Sequence, residues 1–188
     1  MNRISIEKDV YIPMPVTIVG ANVEGKPNFM TAVWVSRVNS NPPMIAVAIG
    51  KEHYTSKGIF ENNTFSINIP AQDLLVETDY CGLISGKERD KSELFDYCYG
   101  LTGTAPMIRD CPISMECRLV QTVDLPDNNL FIGEIVRVAA FDVFLRGGSP
   151  DYKKIHPIIM TMPDSNYWSL GSHMGDAHKI GRFMKATV

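Results

Sequence analysis

The chain has 188 residues, 45% of them hydrophobic and 21% charged, and a formal net charge of −3. That balance excludes a disordered or fibrous chain, and the longest apolar run, 44–49, falls far short of the roughly 20 residues a membrane helix needs. The slight negative charge argues against nucleic acid as a partner. No basic start leads into an apolar run, so the chain reads as cytoplasmic, with reduced cysteines and one domain over 1–188.

In chain order, residues 15–23 predict a strand and 24–27 a polar turn. Residues 29–38 resume extended structure, rich in β-branched and aromatic side chains. Two prolines within 39–43 break it, because proline cannot donate to a ladder. Residues 44–49, apolar on both faces, predict a strand buried on both sides. A short helix follows over 55–62, opened by Thr55 or Ser56 as its cap. Phe65, Ile67 and Ile69 alternate with Ser66 and Asn68, a half-buried strand. A second helix is expected over 73–83.

Ile113, Met115, Cys117 and Leu119 alternate with Ser114, Glu116 and Arg118. An Asp/Asn/Pro turn at 124–129 then joins this strand to another over 130–145, with a bulge near Gly133, as an antiparallel hairpin. A third helix is expected over 176–184. The sum is mainly β: one antiparallel barrel or sandwich with a few short inserted helices.

The motifs of the common catalytic classes are missing. There is no glycine-rich dinucleotide fingerprint, Walker motif, paired-histidine zinc motif or nucleophile elbow. Cys81, Cys98, Cys111 and Cys117 and the four histidines show no metal-ligand spacing. If the chain is an enzyme, the hard chemistry belongs to a bound cofactor.

Three segments point to where such a cofactor would sit. Asn28, Thr31, Ala32, Val33, Trp34 and Ser36 place small polar residues in an apolar strand, where a flat ligand can approach the backbone; the plain alternative is an edge strand with its hydroxyls in water. His53, Tyr54, Thr55, Ser56 and Lys57 lie at a helix start, where amides, hydroxyls and one lysine suit a phosphate; the alternative is an ordinary cap and a solvated lysine. Residues 78–82 and 85–86 form the third, with Cys81 and Gly82, and the charged run 87–91 reads as a solvated loop. Cys81 is either a redox thiol or a structural one.

In this order, Pro15-Val16, residues 28–36, Pro42-Pro43 and Thr55-Ser56-Lys57 resemble the flavin reductase-like family. Residues 78–82, Ser85-Gly86, Asp90-Lys91 and the 166–171 segment are similar to its flavoredoxin branch. One departure is Ser92, which stands where the family usually has a phenylalanine, with Leu94 and Phe95 following. The resemblance implies an FMN-binding split β-barrel of Greek-key type and a homodimer. It places residues 28–36 along the isoalloxazine and ribityl chain, Thr55, Ser56 and Lys57 at the phosphate, and Cys81 and Gly82 near the flavin or the partner subunit. The implied activity is a flavin reductase taking hydride from NADH or NADPH. The alternatives are a flavoredoxin-like carrier reduced by a redox protein partner, and a non-redox ligand-binding barrel.

Overall fold

The computed structural model describes residues 2–184, so the ends of the expected domain, 1–188, lie outside the described residues. In chain order the elements are β1 (Met14–Pro15), β2 (Thr17–Val23), β3 (Lys26–Ala32), β4 (Val35–Asn39), β5 (Met44–Gly50), α1 (Tyr54–Asn62), β6 (Thr64–Ile69) and α2 (Leu75–Leu83). There follow β7 (Tyr97–Cys98), β8 (Met107–Ile108), β9 (Ile113–Asp124), β10 (Asn128–Ala140), β11 (Leu145–Arg146), β12 (Ser149–Pro150), α3 (Tyr152–Ile155), β13 (Ile158–Thr161) and β14 (Asn166–Ser169).

The main sheet has seven strands in the order β3-β2-β6-β9-β10-β5-β4, with every pair antiparallel. Its outermost strands, β3 and β4, are consecutive in the chain and separated only by Val33 and Trp34. With two residues between them, the end of β3 and the start of β4 lie at most about 10 Å apart even when the link is extended. The sheet therefore curls until its two edges meet, which makes it a barrel. The link itself stays paired to β5, Ala48 N–H donating to the Trp34 carbonyl at 3.0 Å as the β4–β5 ladder runs on. This explains why the single strand expected over 29–38 is two strands: the chain changes edge at residues 33–34.

β2 and β3 form a hairpin in which Val23 faces Lys26. Its two turn residues, Glu24 and Gly25, have φ of 52° and 78°. This is the turn whose twist matches the strands, and it needs a residue such as Gly25 that tolerates positive φ.

Successive side chains of β2 enter different cores, because strand residues alternate in direction. Val19 lies in the barrel interior with Val47, Ile59, Phe65, Ile67 and Phe131. Ile18 lies outside it, in a second cluster with Phe29, Cys81, Phe95, Ile108 and Cys111 that α2 and the 95–111 segment cover. Phe95 meets Phe29 edge-on at 5.5 Å. Ser92, at the departure from the family pattern, bonds Asp90 through its hydroxyl at 2.7 Å.

The 113–119 alternation holds, yet its polar face is not solvated. Ser114 and Glu116 are buried beside Arg118, which is exposed, because residues 100–108 bond across them. The bulge expected near Gly133 lies between Ile132 and Gly133. The strand of 130–145 ends at Ala140, in a 3-10 turn. Near the C-terminus only Ile180–Met184 turns, as 3-10 rather than as the α-helix expected over 176–184. The β1-β13-β14 sheet was not legible in the sequence.

Helix α1 packs against β2 through Gly58, whose missing side chain lets the helix touch the Asn22 carbonyl. Gly58→Ala would push a methyl into that main chain. We expect it to lower the urea midpoint by the equivalent of about 2 kcal/mol with an unchanged slope. An unchanged midpoint would show that α1 is free to shift away from β2.

Candidate functional site

Side-chain hydrogen bonds tie the two faces of β3 to two helices. Asn28, buried, donates through its amide to Thr55 Oγ1 at 2.7 Å. Thr31 Oγ1 donates to the Thr78 carbonyl on α2. These two bonds fasten the start of α1 and the body of α2 to one strand. Between them lies a cavity of about 200 Å³ bordered by Met30, Thr31, His53, Tyr54, Thr55, Cys81, Gly82 and residues 83–86. A second cavity of about 200 Å³, with Glu24, Lys26, Asn28 and Asp90 on its walls, adjoins the first. The two share Tyr54, Gly86 and Lys91.

Helix α1 begins after His53, whose backbone is extended (φ −71°, ψ 133°) and whose side chain makes no capping bond. The expected caps, Thr55 and Ser56, are instead buried in the first turn. They turn inward because β3 and β5 offer them partners: Ser56 Oγ donates to the Gly50 carbonyl at 3.4 Å. With no acidic residue in that turn and no side-chain cap, the helix opens with the Tyr54 and Thr55 amides free and a partial positive charge, while Ser56 N–H donates to the His53 carbonyl at 3.2 Å.

Lys91 is the residue the sequence reading missed. It belongs to a charged run expected to be solvated, yet it is only 3% exposed. Its ammonium donates to the carbonyls of Cys81 (3.0 Å) and Ile84 (2.7 Å), acceptors at the C-terminal end of α2. Among the described residues no carboxylate lies within salt-bridge distance of it. Burial pulls its pKa down, and the neighbouring Cys81 offsets this only in part. Two of its three protons are engaged with carbonyls, and it borders both cavities. The signal in the sequence was the Asp90-Lys91 pair itself, which the surrounding charges disguised. Gly86 was also overlooked as a wall: a side chain there would strike the Asn28 amide and come within 2.8 Å of the Tyr54 ring.

Thr31, His53, Tyr54, Thr55, Cys81 and Gly82 thus share one cavity, and Asn28 stands on its neighbour. Ser56 and Lys57 border a third, more open depression that shares His53 and Tyr54 with the first cavity and Glu24 and Tyr54 with the second. There Lys57 is ion-paired with Glu24 and lies 3.8 Å from Glu61, which hold its pKa up. Val33, Trp34 and Ser36 border a larger apolar cavity, and Ala32 is buried, its carbonyl accepting from Thr17. The Cys81 side chain is buried in the second core cluster, where desolvation pushes its thiol up to about 11. A thiol held protonated is a poor nucleophile at neutral pH.

A buried, unpaired cation beside free helix amides and a hydroxyl pair is a setting for an anionic ligand. Comparison with known proteins agrees on what kind. The family model described as flavin reductase like domain matches residues 10–146. The flavoredoxin from Methanosarcina acetivorans is 49% identical, with a TM-score of 0.96 over 97% of this chain and 99% of that one. The flavoredoxin of Desulfovibrio vulgaris (Miyazaki F) is 31% identical, with a TM-score of 0.89 over 96% of this chain and all of that one (100%). An uncharacterized protein of Archaeoglobus fulgidus is 35% identical over 141 residues, 74% of this chain and 78% of its own length.

Proposed function

The chain belongs to the flavin reductase-like family, and from that premise we propose that it is an FMN-binding flavoprotein that passes on reducing equivalents. The observation that carries this is Lys91, a buried cation with no carboxylate partner at the junction of two cavities beside the open end of α1. Such a group calls for an anion, and FMN brings a phosphate and an electron-poor ring together.

In this reading Asn28, Thr31 and Tyr54 line the ring and ribityl chain. Thr55 and the first amides of α1 take the phosphate, with Lys91 as the cation of the site. Gly82 and Gly86 allow close approach of the backbone. Lys57, held by Glu24, lies outside the phosphate position or joins it only by leaving that partner. Bound FMN supplies reversible electron acceptance; the chain orients it, keeps water from one face and offers N–H donors to its polar edge. No side-chain acid or base is required, which agrees with a cleft whose cysteine is a core residue.

NADH or NADPH is the proposed electron donor. The likeness to two flavoredoxins supports the second reading, a carrier reduced by a redox protein. Exposed large apolar side chains, among them Val138, Phe141 and Trp168, support a homodimer. Among the described residues no helix is long and apolar enough to cross a membrane.

The test is a visible spectrum of the protein mixed with FMN and freed of unbound flavin, followed by NADH or NADPH without oxygen. We expect retained flavin absorbance that bleaches with one of the two nucleotides. Retention without bleaching would move the function to the carrier reading. No retention together with no quenching of FMN fluorescence would overturn flavin binding.

A further inference from the structure

On the face of β9 and β10 that carries Ser114 and Glu116, along one edge of the 97–111 segment, lies a cavity of about 220 Å³. We propose that it binds a small carboxylic acid with an apolar body of one ring, the carboxylate meeting Arg137. The proposal goes beyond the flavoprotein reading and does not use it. No residue on these walls borders the cavities at Lys91.

The cation is the first observation. Arg137 on β10 stands directly opposite Glu116 on β9. Opposite residues of an antiparallel pair project from the same face, where unlike charges ordinarily pair. Here the Glu116 carboxylate is taken up elsewhere: it accepts from Leu101 N–H at 2.8 Å and from Thr102 Oγ1 at 2.7 Å. Among the described residues no carboxylate, that of Glu116 included, lies within salt-bridge distance of Arg137. The fold removes the partner and leaves the arginine on a cavity wall.

The floor is the second. An exposed ion pair alone holds a ligand weakly, so the rest of the affinity must come from apolar contact. Met107, Ile108, Ala139 and Phe141 supply it. An engineered apolar cavity of about 150 Å³ in another protein holds one benzene molecule. A cavity of about 220 Å³ therefore has room for one ring and a carboxyl group.

The third is the sign of the charge. Among the described residues on these walls, the charged ones are Arg109 and Arg137. Arg109 is already shared, its guanidinium 3.4 Å from Asp96. Arg137 is the cation left for a ligand. Inorganic phosphate would meet it and gain nothing from the floor. A neutral ring would cover the floor and leave the guanidinium unmatched. A ring bearing one carboxylate satisfies both. Cys98, half-buried on the same wall, reports whether the cavity is filled, since Cys81, Cys111 and Cys117 are buried.

The experiment is isothermal titration of the protein, as it assembles in solution, with benzoate and, separately, with benzamide, the same ring without the charge. We expect one benzoate per chain, with benzamide at least about tenfold weaker. Arg137→Met should bring benzoate down to the level of benzamide. Arg137→Lys keeps the charge without the planar fork and should fall between the two. Arg118→Met, at an exposed arginine outside the cavity, should change nothing. Benzoate at about ten times its Kd should slow the alkylation of Cys98 by iodoacetamide about tenfold, because that is how far the empty fraction falls.

No benzoate binding, equal binding of benzoate and benzamide, an Arg137→Met variant like the parent, or unchanged alkylation of Cys98 would each overturn the proposal. So would displacement of benzoate by saturating FMN, which would make the cavity part of the flavin's own site. Phe141 also belongs to the apolar surface proposed above for the homodimer. A cavity filled by a second copy would take up no benzoate and would shield Cys98 without it, which would overturn the proposal as well. FMN titration of the same sample reads the flavoprotein assignment separately, so the two can fail independently.

Discussion

Lys91→Met is expected to raise the Kd for FMN about 30-fold, from the loss of one charged hydrogen bond worth about 1.5–3 kcal/mol. The same substitution is expected to leave the flavin-free protein more stable, by about 1 kcal/mol at neutral pH. The two effects have opposite signs because they have one cause. Without a ligand, the ammonium of the buried Lys91 faces two carbonyls and no carboxylate, so much of its hydration is lost without a matching charge. Methionine fills similar space with no charge to desolvate, at the cost of two bonds to the end of α2. With FMN present the order reverses, since only the lysine can meet the phosphate.

The pH dependence separates this account from simple repacking. Burial lowers the folded pKa of Lys91 below its unfolded value. Between those two values the unfolded chain binds the extra proton, so this group makes stability rise with pH. Methionine has no such dependence. The stability advantage of the variant should therefore shrink as pH climbs towards about 10, the range in which an unfolded lysine titrates. Cys111 and Cys117 titrate in both proteins and cancel in the difference; Cys81 feels the Lys91 charge, so both proteins are compared in a Cys81→Ala background. Lys57→Ala is the control: its charge is half-exposed and held by Glu24, so FMN affinity should change by less than about threefold. An FMN affinity of Lys91→Met within about threefold of the parent would remove Lys91 from the site.

The difference between these two lysines also marks what the sequence could convey. Lys57 follows two hydroxyl residues at a helix start, a pattern with a known physical use, so it stood out. Lys91 closes a run of five charged residues, and nothing local separates it from Lys87. What turns it inward is α2, which ends at Leu83 and leaves carbonyls without partners. That is a tertiary demand, met seven residues away for Ile84 and ten for Cys81. The barrel strands were legible for the opposite reason. Their alternation and their turns are local, as at Glu24-Gly25 and at 113–119. The break at Val33-Trp34 was not, because both residues suit a strand and only closure of the sheet interrupts them. The C-terminal strand pair β13–β14 is short and half-exposed, and its alternation does not rise above that of the loops around it.

The same contrast governs the second large effect. Glu116→Ala is expected to cost about 3–6 kcal/mol of folding stability, a large share of the 5–15 kcal/mol of a typical domain. By alternation Glu116 belongs to the polar face of β9, yet it is fully buried. Its carboxylate accepts from Leu101 N–H at 2.8 Å, from Thr102 N–H and from Thr102 Oγ1 at 2.7 Å. Gly100 has no side chain because that carboxylate occupies its place.

The segment so held is a strap across three strands. Asn22 N–H donates to the Thr104 carbonyl at 3.2 Å, Ser66 Oγ donates to the Pro106 carbonyl, and Asn68 accepts from Ile108 N–H at 2.9 Å. Removing the carboxylate leaves three donors without their acceptor in a part-buried place, each costing about 1–2 kcal/mol. Glu116→Gln keeps one acceptor oxygen but turns an amide N–H₂ towards a donor, so it should cost roughly half as much. Urea unfolding measures both, and amide hydrogen exchange should show residues 99–106 losing protection before the barrel strands do. A Glu116→Ala protein within about 1 kcal/mol of the parent would mean that water reaches these amides, and that the strap is held by its bonds to Asn22, Ser66 and Asn68.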